Sequence, residues 1–152
     1  MTLLRLVIVV SVLAAGAMFG SATAGAVTLG DYLWRSRPLL LFAPSASDPR
    51  LVDTLARIRS SRCEFTDRDM VVGVVVAEGD SSLDGQPVDA DQSRRLAEQF
   101  AIDPDAFAAV LIGKDGGEKW RADDVPDVQQ IYAVVDGMPM RSREVGGGSA
   151  GC

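Results

Sequence analysis

Leu39-Leu40-Leu41-Phe42-Ala43 is an unbroken apolar run that stops at Pro44, Asp48-Pro49 follows it, and Met70–Ala77 is a second run interrupted only by Gly73. Runs without polar alternation belong to strands buried on both faces, as in a parallel sheet covered by helices. Between them, Asp48 supplies an N-cap with proline at the first helical position. Leu51, Val52, Leu55 and Ile58 then recur at helical spacing, which predicts a helix over about Pro49–Ser60. The first half reads β-α-β, with a right-handed crossover expected.

Further along, Gly79–Asp91 is polar and predicts a surface loop. A helix is expected from about Asp91 to Ala101, with Leu96, Ala97 and Phe100 inward. Phe107–Ile112 is the third apolar run, Lys114–Gly117 signals a tight turn, and Gly117–Arg121 is expected to return as an antiparallel edge strand. Pro126 opens a last helix whose Val125, Val128, Ile131, Tyr132 and Val135 trace one apolar face, and Gly137 ends it. The order β-α-β-α-β-β-α predicts an α/β, three-layer sandwich of the thioredoxin-like kind, with no repeat and no second domain.

Composition removes several classes of chemistry. The 152 residues carry 21 acids against 15 bases, a net charge of −6, which argues against nucleic acid as a partner. There is no histidine, so a histidine triad, a histidine base or a histidine-ligated metal is excluded. Two cysteines do not make a closed zinc site. Asp84, Asp89 and Asp91 suggest a calcium loop, but Arg94 stands where that loop needs glycine. Gly113–Gly117 lacks the spacing of a phosphate-binding loop. No cofactor is implied.

The first residues read as an address. Arg5 precedes the apolar stretch Leu6–Phe19, and Ala22-Thr23-Ala24 is a small-residue cleavage site, so residues 1–24 are expected to be a signal peptide, with cleavage after Ala26 the second choice. The expected setting is exported, periplasmic or secreted; a membrane is contacted only through this segment, if uncleaved. In an oxidising compartment, Cys63 and Cys152 suggest a disulfide first. Residues 145–152 read as a flexible glycine-rich tail, able to bring Cys152 back to Cys63 or to join two chains, and both remain open.

Five segments carry a resemblance: Leu29–Arg35 with Tyr32 and Trp34; Arg37–Pro44; Asp67-Arg68-Asp69-Met70; Leu111–Gly117 with Gly113, Lys114, Asp115 and Gly116; and Asp136–Arg141 with Met138, Pro139 and Met140. Over residues 29–144 the chain resembles a bacterial family of exported domains of unknown function. The same domain occurs in animal extracellular proteins such as equarin and the sushi-repeat-containing proteins. The resemblance implies a thioredoxin-like fold close to peroxiredoxins, and implies no established activity.

That fold keeps its reactive thiol where the first core strand meets the next helix. Here the loop is Pro44–Arg50, without cysteine, and Phe107-Ala108-Ala109 lacks the usual proline. No catalytic residue is therefore assigned. Cys63, expected past the end of the first helix where the dipole disfavours a thiolate, is kept as a redox candidate with Cys152. Ser45, Ser47 and Arg50 are candidate anion ligands, opposed by Asp48 as the cap. Arg68 and Asp69 either orient a ligand or fix their loop, with Met70 packing inward. Met138 and Met140 either cover the core or mark a partner surface. The expected function is a binding or interaction module for a protein or small ligand; the alternative is a peroxiredoxin-like thiol oxidoreductase using Cys63 with Cys152.

Overall fold

The computed structural model describes residues 26–146 and Cys152. The expected signal peptide 1–24 and residues 147–151 of the expected tail lie outside them. A 3-10 turn over Leu29–Tyr32 leads into β1 (Arg37–Ser45), α1 (Pro49–Ser60), α2 (Arg62–Asp67), β2 (Met70–Glu78), β3 (Ser81–Leu83), β4 (Gln86–Val88), α3 (Ala90–Gln99), β5 (Ala108–Ile112), β6 (Glu118–Ala122), α4 (Val128–Asp136) and α5 (Pro139–Val145).

The strands form one sheet in the order β4-β3-β2-β1-β5-β6. Strand β1 pairs parallel with β2 and antiparallel with β5. The outer positions fall to β4, which contains Pro87, and to β6. Arg37 to Ala43 of β1 are all buried because both faces are covered. Leu39, Leu41 and Ala43 pack with Leu51 and Ile58 of α1, Phe65 of α2, and Ile131, Tyr132 and Val135 of α4. Leu40 and Phe42 point the other way, against Val75, Leu83, Leu96, Phe100 and Val110, with Val27, Leu29 and Tyr32 closing that side. Three layers follow from one period-2 alternation. At Gly73 a Cβ would stand 2.6 Å from the Leu40 side chain, so this break in the valine run admits its neighbour.

The α/β class is the one the periodicity predicts and the thioredoxin-like order the one expected by analogy, but four local expectations need correction. β1 runs through Pro44 to Ser45, which pairs with Glu78. The expected loop Gly79–Asp91 contains the β3–β4 hairpin, turning at Asp84-Gly85. The stretch after α1 folds into α2, because Ser61 ends one helix and starts the next. The helix expected to be the last is followed by another, because Pro139, two residues past Gly137, is the first residue of α5, where its missing amide proton costs nothing.

Candidate functional site

Strand β1 delivers Ser45 to the start of α1. There the Asp48 carboxylate accepts from the Arg50 amide at 2.9 Å and receives the Arg50 guanidinium through Nε at 3.0 Å and Nη2 at 2.7 Å. The hydrogen-bonded Arg50 side chain holds the Asp48 carboxyl below its usual range, against the opposing effect of burial. Ser45 and Ser47 share a hydroxyl contact at 3.1 Å, and Arg50 lies over the Phe107 ring, 5.5 Å from its centroid. Of the three candidate anion ligands, the two serines contact each other, while Arg50 is engaged by Asp48, the chain's own carboxylate.

On the opposite face of the sheet, at the carboxyl ends of β1 and β2, a cleft of about 320 Å³ opens beneath α3. Phe42 and Val75 form its buried floor, Ala97 and Ile102 line its wall, and Arg94 and Asp103 stand exposed at the rim. Ser93 also belongs to its lining, but its Oγ lies out of reach of the cleft and has no hydrogen-bond partner.

The other end of the sheet gathers charges. Arg37, 1% exposed at the start of β1, donates to the Arg68 carbonyl at 2.8 Å and to both Glu144 oxygens at 3.1 Å. Lys114 reaches Glu144 at 2.6 Å and Asp69 at 2.7 Å. Arg68 forks onto Asp136 at 3.0 and 2.7 Å and lies 4.7 Å from the Tyr132 ring centroid. Arg141, buried in α5, pairs with Asp67 and donates to its carbonyl at 2.6 Å. Burial pushes the Glu144 carboxyl up, but hydrogen bonds and charge from Arg37 and Lys114 outweigh it and leave it below the usual range. Arg68 and Asp69 thus face different partners, and Met70 is buried.

Cys63 and Cys152 are joined in a disulfide across 89 residues, with their Cα atoms 5.9 Å apart. Cys63 lies past the end of α1, as expected, and at the same time in the first turn of α2, whose N-terminus opposes the unfavourable dipole of α1. It is exposed. Among the described residues no cluster of three metal-ligating side chains occurs, and no helix is long and apolar enough to cross a membrane.

Residues 28–144 match a family described as a domain of unknown function, DUF4174. The chain belongs to this family. The DUF4174 domain is similar to coiled-coil domain-containing protein 80 of Danio rerio, with 23% identity over 133 residues, covering 77% of this chain and 15% of that protein's length. Among solved structures it resembles thioredoxin peroxidase I of Plasmodium yoelii, with TM-score 0.59, 15% identity, and 82% and 83% of the two chains covered. It also resembles the reduced 2-Cys peroxiredoxin of Plasmodium vivax, with TM-score 0.59, 14% identity, and 77% and 85% covered. These likenesses show the fold.

The remaining residues that carry the sequence resemblance have the following places. Trp34 is 66% exposed, and its amide donates to the Lys114 carbonyl at 2.7 Å, while Tyr32 packs on the α3 side. Gly113, Asp115 and Gly116 build the turn between β5 and β6: Gly116 donates to the Gly113 carbonyl at 2.9 Å, and Asp115 takes the Gly117 amide at 3.1 Å and Lys119 at 2.6 Å. Met138 packs against the core, Pro139 starts α5, and Met140 is half-buried.

Proposed function

We propose that this DUF4174 domain is a binding module that uses the thioredoxin-like fold as a scaffold without its thiol chemistry. The observation that carries this reading is the start of α1, where Asp48 and Arg50 occupy the position that thiol chemistry needs and no cysteine is present. The proposed setting is an exported one. The basic and apolar N-terminal segment supports it, as does a disulfide, which persists in oxidising compartments. N-terminal sequencing of the exported protein is then expected to begin at Gly25 or Val27.

A second reading keeps Cys63 as a peroxide-reducing thiolate. Its attack would release an alcohol or water and leave a sulfenate, which the Cys152 thiol would condense to the disulfide with loss of water. The bonded pair and the exposure of Cys63 favour it. Steady-state consumption of hydrogen peroxide in the presence of dithiothreitol separates the two. The binding-module reading expects the same background rate for the wild type and Cys63→Ser; turnover that disappears in Cys63→Ser would establish the second reading instead.

A further inference from the structure

We infer that α5 is a redox-released strap: an external dithiol that reduces the exposed Cys63–Cys152 bond lets α5 leave its end of the sheet while the rest of the fold stays intact. The inference goes beyond either reading of function, because it concerns where α5 lies and not turnover at a thiol.

Apolar packing holds α5 poorly. Of its seven residues, Pro139–Val145, only Arg141 is buried, neither core cluster includes any of them, and Val145 is 59% exposed. A helix this short has no stability of its own in water. Two charged links dock it, Arg141 with Asp67 and Glu144 with Arg37 and Lys114. At its start the chain is fixed by Met138, which packs against the core. At its far end the hold is covalent: Cys152 follows Val145 by seven residues and is bonded to Cys63 in α2, the helix that also carries Asp67. In the oxidised protein α5 is therefore tied at both ends. Once the bond opens it is a terminal element anchored at one end, the kind that opens locally at low cost. Its departure takes the Glu144 carboxylate away from Arg37 and Lys114, the two cations that share it.

The bond is placed for exchange. Both cysteines are exposed, so a thiolate reaches a sulfur in the folded protein, and exposed disulfides are the labile ones. The dithiol's thiolate attacks one sulfur and the Cys63–Cys152 bond breaks, leaving a mixed disulfide and one cysteine thiolate. The dithiol's second thiol then displaces the other cysteine. The dithiol ends as its own disulfide, and Cys63 and Cys152, having gained two electrons and two protons from it, end as thiols.

The test follows amide hydrogen exchange in the 15N-labelled protein, oxidised, reduced with dithiothreitol, and as Cys152→Ser. Reduction should speed exchange at Ser142 to Val145 at least about tenfold, at rates indifferent to urea below the unfolding transition, since releasing a short helix exposes little surface. Leu39 to Leu41 should keep the steep urea dependence of global unfolding. Cys152→Ser should match the reduced protein and ignore dithiothreitol; if that variant does not fold, Cys63→Ser makes the same comparison. Dithiothreitol should also open the bond at the same rate with and without urea below the transition. Equal α5 rates in the two redox states would overturn the strap. So would α5 exchange that shares the urea dependence of β1 in the reduced protein, or a bond that opens only as urea unfolds the chain.

Discussion

Ala101 sits where α3 ends, with φ of +55°, in the left-handed region. The Ile102 amide donates to the Ala97 carbonyl at 2.8 Å and the Ala101 amide to the Glu98 carbonyl at 3.1 Å, the double bond of a Schellman stop. Glycine fits that position, whereas a Cβ there costs about 1–2 kcal/mol, partly offset by the greater freedom of glycine in the unfolded chain. Ala101→Gly is therefore expected to stabilise the fold by up to about 1 kcal/mol, checked by the midpoint of urea unfolding. Without a glycine to mark it, the end of this helix was placed at about Ala101 in the sequence, two residues beyond the last residue of α3. Trp34, with φ of +62°, is a bulkier exception, held by its bond to the Lys114 carbonyl.

Element α5 depends on partners far away in sequence. Glu144 joins it to Arg37, 107 residues earlier, and Arg141 joins it to Asp67, 74 residues earlier. Glu144→Ala would leave the Arg37 guanidinium buried without its carboxylate, a loss of about 3–5 kcal/mol for a broken buried pair. The pH dependence has a definite sign. Because the folded-state pKa of Glu144 is lowered, its stabilisation is present above the unfolded value near 4.3 and is lost as pH falls through the lower folded value. Urea unfolding of the wild type should weaken over that acid window, and Glu144→Ala should show a shallower slope there. Sequence reading took Gly137 for the end of the last helix, because proline both follows one helix and begins another, and the charges that hold α5 in place are not local. The β3–β4 hairpin had a local signal in Asp84-Gly85, but strands of three residues are too short to display alternation.

Across the whole molecule, the described part of the fold closes with Cys63–Cys152, which spans 89 residues. Such a link restricts the unfolded chain, by as much as about 4.5 kcal/mol on loop-closure arguments. Reduction, or Cys152→Ser, is expected to lower the unfolding free energy by up to that amount, seen as a lower urea midpoint, and to steepen the transition as the unfolded chain expands. The central layers were legible because Leu39–Ala43 and Met70–Ala77 carry their burial in their composition, and Leu51 to Ile58 carry their period. The start of α1 was legible for the same reason: Asp48-Pro49 is a contiguous signal. The cleft was not, since its floor and wall come from β1, β2 and α3 and only the folded sheet sets them side by side. The sheet's margins have a consequence for concentrated solutions. One outer strand is three residues long and contains Pro87, and the other sets Glu118, Lys119 and Arg121 toward water. A neighbouring copy finds no long row of open amides to dock on and meets fixed charges on the far margin, so lateral growth from molecule to molecule, the first step toward fibrils, is blocked at both ends.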